Sequence, residues 1–252
     1  MRRIWLKLTT DASEVEIGEA YELKDEAFHH AIQVSRLEEG EKFEGISGSE
    51  TILQFEIVSI AKKSAQIKVI GIRQIAKKTG PSFHLAVALS KWDAMDWIIE
   101  KCVELGVTSI QPIFSANSFV KLPKDLSSNR RERWQKIVES ATTQSVRGSL
   151  MRIEEAKTLK EFVNEISRKP ETKCLFAYEG ATQKSLKSSL DSIDVNLVQS
   201  IWALVGSEGG FSEAEAQSIK AAGCEPLTLG DQILRVETAC IALMSIIKYR
   251  VS

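Results

Sequence analysis

The residues best placed to do chemistry lie in one short stretch, Leu204-Val205-Gly206-Ser207-Glu208-Gly209-Gly210-Phe211-Ser212-Glu213-Ala214-Glu215. An apolar strand feeds a glycine-rich turn and then a helix whose Ser212 and Glu215 have capping-box spacing, with Phe211 placed for a hydrophobic staple. Glycines at 206, 209 and 210 let the backbone pass close to a ligand, and free amides at a helix start favour an anionic or carbonyl group. The same residues suit a tight strand-to-helix connection that uses glycine only for its dihedrals, so the turn alone leaves both readings open. Its position narrows the ligand class. A dinucleotide fold carries G-x-G-x-x-G on its first strand-to-helix turn. Here the turn comes late in a chain of 252 residues, its spacing is Gly206-x-x-Gly209-Gly210, and no Walker lysine follows. A nucleotide-binding Rossmann fold is therefore disfavoured, and so is a standard open-sheet methyltransferase.

A second segment, Leu227-Thr228-Leu229-Gly230-Asp231-Gln232-Ile233-Leu234-Arg235-Val236-Glu237-Thr238-Ala239, repeats the plan of strand, glycine turn and helix start. Two such loops at strand ends could converge on one pocket, with Arg235, Glu237 and Thr238 near the N-terminus of the last helix. Alone, Arg235 reads as a solvated charge and Glu237 as a favourable first-turn carboxylate. Beside the first loop they read as binding groups. The last helix continues Cys240-Ile241-Ala242-Leu243-Met244-Ser245-Ile246-Ile247, apolar on nearly every side, and so must be covered all round. Either an interior position or a subunit interface would cover it, and a dimer is the simpler arrangement.

The elements that must hold these loops follow two different grammars. Up to about residue 73 the hydrophobic period is two: 42–47, 51–60 and 66–73 read as strands, with Gly48-Ser49 as a hairpin turn. A short strand near 4–8 and a compact segment at 29–37 precede them. The polar run Ala76-Lys77-Lys78-Thr79-Gly80-Pro81 reads as a linker. Beyond it strands and helices alternate: a strand at 83–89, a helix presenting Met95, Ile98, Ile99, Cys102 and Leu105 on one face, and a strand at 109–114. Ser90 with Asp93 is placed to cap that helix and Gly106 to end it. Helices are expected from near Asn129 and over 159–166. Strands are expected at 174–178, 201–205 and 226–229, with helices after Ser212 and over 236–249. This alternation predicts an α/β fold with a largely parallel sheet.

Composition sets the limits. With 33 Lys+Arg against 34 Asp+Glu, the net charge of −1 excludes binding of nucleic acid by bulk electrostatics, so any polyanion contact must come from placed side chains. Cys102, Cys174, Cys224 and Cys240 have no C-x-x-C spacing, and His29, His30 and His84 lie far from them, which argues against a metal site. No signal-peptide pattern or span of membrane length is visible, so a reduced, cytoplasmic setting is expected.

The two glycine blocks, in this order, resemble the RsmE family of 16S ribosomal RNA uracil-N3 methyltransferases, of the SPOUT superfamily. Further matches are Glu100-Lys101-Cys102-Val103-Glu104-Leu105-Gly106-Val107, Gln144-Ser145-Val146-Arg147, His29-His30 and Arg36-Leu37. The resemblance covers nearly the whole chain. It implies a PUA-like β-barrel for RNA over 1–75 and a trefoil-knotted α/β methyltransferase domain over 76–252. It also implies S-adenosylmethionine as cofactor, a homodimer, 16S rRNA of the small ribosomal subunit as partner, and no metal. Carried across by position, cofactor contacts fall to Tyr178, Gly206, Glu208, Gly209, Gly210, Leu229, Gly230, Ile233, Leu234, Arg235 and Thr238. Glu208 could orient the site or take the N3 proton, and otherwise it caps an adjacent helix. Arg235 could stabilise charge developing on a uracil oxygen. Arg36, Arg147, Arg130 and Arg131 are the candidates for RNA contacts, with a solvated surface as the alternative for each. Three positions depart from the family's usual residues: Ser207 stands for proline, Gln232 for arginine, and Asn117 for the arginine that often precedes Ser118. Ser207 is expected to be tolerated, while Gln232 and Asn117 bear on RNA affinity. An RNA-binding assembly factor without methyl transfer, or a methyltransferase for another nucleotide, would share most of these features.

Overall fold

In the computed structural model the described residues are 1–6, 15–46, 51–75, 80–145, 147–180 and 184–251. The expected Gly48-Ser49 turn and the 76–79 part of the expected linker lie outside them. The chain divides into two compact units, Met1–Lys78 with Glu139–Leu150, and Thr79–Val138 with Met151–Ser252.

The first unit is built on β1 (Arg2–Trp5), β2 (Ala20–Leu23), β3 (Lys42–Ile46), β4 (Thr51–Ile60) and β5 (Ala65–Gln74), in the sheet order β1-β3-β4-β5-β2. The alternation along β4 and β5 predicts their pairing. Ile57 and Ile67 face each other in an antiparallel ladder that slips at Gln54/Phe55 and at Ile57/Ser59. Phe43 and Phe55, both fully buried, stack at 5.4 Å between ring centroids and anchor the core with Ile4, Ile57, Ile67 and Val69. Between β2 and β3 the chain forms α1 (Asp25–Phe28) and then a π-helical turn, His29–Val34, closed at the exposed Arg36. β2 was not expected: its four residues alternate too briefly to stand out from a polar loop.

The second unit carries β6 (Ser82–Ala88), α2 (Trp92–Leu105), β7 (Ser109–Phe114), α3 (Ser128–Ser145), β8 (Arg152–Ile153), β9 (Lys157–Thr158), α4 (Leu159–Ile166), β10 (Thr172–Ala177), β11 (Lys184–Ser185), α5 (Leu186–Asp191), β12 (Ser200–Val205), α6 (Glu213–Ala221), β13 (Glu225–Thr228) and α7 (Val236–Val251). The turns of α3 beyond Val138 group with the first unit. The sheet runs β11-β13-β10-β12-β6-β7-β8 with every pairing parallel, as the alternating grammar predicts. Its central strands are buried on both faces, so they read as continuous apolar runs. Gly106, at φ 85°, ends α2 with the left-handed residue expected there. The expected cap at the start of α2 is corrected: Lys91 is the N-cap residue without a side-chain cap, and the Ser90 hydroxyl donates instead to the Ala88 carbonyl at 3.0 Å. α7 lays Val236, Ala239, Cys240, Leu243, Met244 and Ile247 into the unit against α2 and β6. Ile246 and Tyr249 remain exposed on its other side. The four cysteines are buried and free, and burial pushes the thiols of Cys174 and Cys240 up.

Candidate active site

Four neighbouring strands, β13, β10, β12 and β6, run parallel and end at Thr228, Ala177, Val205 and Ala88, so the loops that follow them leave the same edge of the sheet. Open α/β sheets take their ligands in such a place, outside the carboxyl ends of strands. A cavity of about 1340 Å³ lies there. Both glycine loops line it, together with Ala177-Tyr178-Glu179-Gly180 from β10 and Lys91, Asp93, Ala94 and Trp97 from the start of α2. The two loops singled out in the sequence therefore meet at one cavity.

The glycines of the first turn answer to different constraints. Gly206 is buried, and a Cβ there would stand 3.0 Å from the carbonyl carbon and Cα of Gly210. Only Gly210 takes a left-handed backbone, at φ 62°, and its amide donates to the Ser207 carbonyl at 2.8 Å to close the turn. α6 then starts on the predicted capping box. Glu215 N–H reaches the Ser212 hydroxyl at 3.3 Å, and the Glu215 carboxylate accepts from Ser212 N–H at 2.9 Å.

Glu208 is exposed on the rim, and its Oε1 accepts from Lys91 N–H at 3.2 Å. A carboxylate from the glycine turn thus serves the N-terminus of α2, where negative charge is favourable. The helix it serves is α2 and not the adjacent α6 that was the expected one to cap. Arg235 is exposed immediately before α7 and lines the cavity. A cation beside a helix N-terminus opposes the macrodipole, so helix stability gives no reason for arginine here. Tyr178 lines the cavity and donates to Glu213 at 2.9 Å; that bond, with some desolvation, pushes its phenol up. Gly209, Leu229, Gly230, Ile233 and Leu234 also line it, whereas Thr238, exposed on α7, does not. Trp97 was missed. It lies opposite the face formed by Met95, Ile98 and Ile99 on α2, and a large aromatic on a polar helix face was the available signal.

Comparison with known proteins places this geometry. A family model described as an RNA methyltransferase domain matches residues 78–248, and one described as an RNA methyltransferase PUA domain matches residues 23–70. The protein of Synechocystis sp. named ribosomal RNA small subunit methyltransferase E is 31% identical over 84% of this chain and 67% of its own length. The chain belongs to the ribosomal RNA small subunit methyltransferase E family. The Bacillus subtilis member is 29% identical over 99% of this chain and 97% of its own. Among solved structures, the Neisseria gonorrhoeae member bound to S-adenosyl methionine superposes with a TM-score of 0.84 at 27% identity, covering 99% of this chain and 97% of that one. A methyltransferase of Legionella pneumophila, solved in complex with the cofactor SAM, gives 0.85 at 27%, covering 98% and 96%.

The expected RNA contacts fall into different settings. Arg130 is largely committed: its guanidinium lies 4.5 Å from the Trp92 ring centroid and 3.6 Å from Asp96, which also accepts from Arg133 at 2.7 Å. Arg131 is exposed on the same helix. Arg36 is exposed and holds a left-handed φ of 50° after the π-helical turn, its carbonyl accepting from Arg2 at 3.0 Å. Arg147 is half-buried just beyond α3. Among the described residues no group of three His, Cys, Asp or Glu could hold a metal ion, and no helix is long and apolar enough to cross a membrane.

Proposed function

We propose that the protein is an S-adenosylmethionine-dependent methyltransferase that modifies N3 of one uridine in 16S rRNA of the small ribosomal subunit, working in the cytoplasm as a homodimer. The observation that carries this reading is the convergence of both glycine loops on one cavity at the carboxyl ends of parallel strands, in a chain of this family. We assign residues 1–75 to the PUA-like RNA-binding domain and 76–252 to the knotted methyltransferase domain.

The residues fit the cofactor. Gly206, Gly209 and Gly210 present no side chain to the cavity, Leu229, Ile233, Leu234 and Ala239 offer apolar cover, and about 1340 Å³ exceeds what most small ligands fill. When bound, S-adenosylmethionine supplies an electrophilic methyl group. This chain's own part is to orient the base and manage its proton and charge. Uracil N3 must be unpaired to enter, because its edge is occupied in a duplex. Glu208, with Oε1 held by Lys91 N–H, keeps Oε2 available to accept the N3 proton. Loss of that proton leaves negative charge on the uracil oxygens, and Arg235, on the opposite loop, is the cation placed to stabilise it. The exposed Trp97, Ile246 and Tyr249 of α2 and α7 supply apolar surface for the second subunit.

The test is transfer of labelled methyl to small subunits that lack the mark, with the product nucleoside identified. The expected product is 3-methyluridine, formed by a protein that sediments as a dimer. A different methylated nucleoside would overturn the uracil-N3 assignment. Absence of S-adenosylhomocysteine binding by calorimetry would overturn the enzyme reading and favour an assembly factor. The arginines separate in a second experiment. Arg131→Ala is expected to weaken RNA binding and reduce the salt slope by about one charge. Arg130→Ala is expected to lower stability by about 1 kcal/mol through its lost stacking on Trp92. Salt titrations of binding and thermal melts of both variants check this, and equal salt slopes for Arg131→Ala and the parent would remove Arg131 from the interface.

A further inference from the structure

The loop that follows β7 is tied to the glycine turn through Asn117, Ser207 and Glu215. Asn117 Nδ2 donates to the Gly209 carbonyl at 2.8 Å and to the Gly210 carbonyl at 3.3 Å. Ser207 Oγ donates back to the Asn117 carbonyl at 2.6 Å. One residue earlier, Ala116 N–H donates to Glu215 Oε1 at 2.7 Å, joining the same loop to the carboxylate that caps α6. Packing is close as well, since a Cβ on Gly209 would come within 2.9 Å of the Asn117 Cβ.

A Gly-Gly pair is the most easily rotated part of a backbone, because neither residue has a Cβ to restrict it. Each peptide unit is planar, so fixing its carbonyl fixes the direction of the amide on its other side. Asn117 holds the carbonyls of two successive units, 209–210 and 210–211, while Ser207 holds the Asn117 backbone in return. We infer that Asn117 is a positioning residue for the glycine turn, and that with Ser207 it forms a lock that keeps the turn in its ligand-ready shape. The inference rests on the reading of that turn as the S-adenosylmethionine site. Asn117 acts through the turn; it does not line the cavity.

The test uses the full chain and S-adenosylhomocysteine. Asn117→Asp keeps the shape of the side chain, removes both donors and sets a carboxylate against two carbonyl oxygens. It is expected to weaken S-adenosylhomocysteine by about tenfold, the equivalent of one or two lost hydrogen bonds. KM for S-adenosylmethionine is expected to rise to match, with kcat at saturation within about threefold of the parent. The melting temperature of the ligand-free protein should hardly move, because Asn117 is exposed. Ser207→Ala should shift affinity in the same direction, and the double variant should be no weaker than Asn117→Asp alone, since both break one lock. Unchanged affinity in folded Asn117→Asp overturns the inference, and should that variant fail to fold, unchanged affinity in Ser207→Ala does so. Failure of the parent to bind is a different result, and it overturns the cofactor reading instead.

Discussion

Gly206→Val is expected to reduce S-adenosylhomocysteine affinity by at least about a hundredfold while leaving a folded protein. The size of the effect follows from what the new side chain meets. A Cβ at 206 stands 3.0 Å from two backbone atoms of Gly210 and 3.4 Å from Phe211 N. No flexible side chain can move aside, so the turn itself must open. Opening it strains the 2.8 Å bond between Gly210 N–H and the Ser207 carbonyl that closes the turn. Overpacking of this kind costs about 1–3 kcal/mol of stability, a fall of roughly 2–12 °C in Tm for a chain of this size. Binding should suffer more than stability, because the displaced segment is the wall of the cavity. Gly209→Val meets the Asn117 side chain on an exposed loop and is expected to be milder. Calorimetry with S-adenosylhomocysteine alongside thermal melts measures both effects. Affinity within threefold of the parent for folded Gly206→Val would remove this turn from the site.

What the sequence disclosed and what it hid divide along the range of the interactions. β4, β6 and β12 are legible because local periodicity and apolar runs report burial directly. α4 begins at Leu159 and ends at Ile166 as its pattern predicts, and Gly106 ends α2 as a C′ glycine should. β8, β9 and β11, two residues each, lie below the length at which any period can be seen. Strand order is hidden for another reason. β10 sits between β13 and β12, and no local signal encodes that placement. The start of α2 shows the same limit: a local cap was expected from Ser90, but the N-cap amide goes to Glu208, 117 residues away in sequence. In the sequence Ser207 and Asn117 are two unrelated departures, one expected to be tolerated and one bearing on RNA. They are bonded to each other across 90 residues. Each hidden feature depends on which distant segment comes alongside, while each legible one depends on a residue's own neighbours.

At the other end of the same strands His84 makes stability dependent on pH. Its ring stacks on Trp202 at 4.6 Å between centroids, with 11° between the planes. Nε2 lies 2.9 Å from the Ser82 hydroxyl and Nδ1 lies 2.8 Å from that of Ser109. Ser82 spends its own proton on the Gln199 carbonyl, so its oxygen accepts from Nε2–H and Nδ1 accepts from Ser109. The neutral ring therefore satisfies the network. A proton on Nδ1 would turn the Ser109 hydroxyl from donor to acceptor and bury a charge in a cleft holding Arg152, Arg168 and Lys169 against Glu154 and Glu171. Burial first, then Arg152 and Lys169, push the imidazole down to about 4 from its ordinary 6.5. Above pH 6.5 the ring is neutral in both the folded and unfolded chain and adds no pH dependence. Between 6.5 and 4 only the unfolded chain takes up the proton, so stability falls as pH falls and levels off below 4. The loss amounts to about 3 kcal/mol, or roughly 6–12 °C in Tm. His84→Gln, which keeps a side-chain amide but cannot titrate, is expected to flatten that part of the profile. Carboxylates titrate in the same range, so the measurement is the difference between parent and variant melts from pH 7 to pH 4, and parallel profiles would show that His84 does not carry the effect. S-adenosylhomocysteine affinity at pH 7.5 should be the same for both, because His84 lies on the amino-terminal side of β6 and the glycine turn follows the carboxyl end of β12.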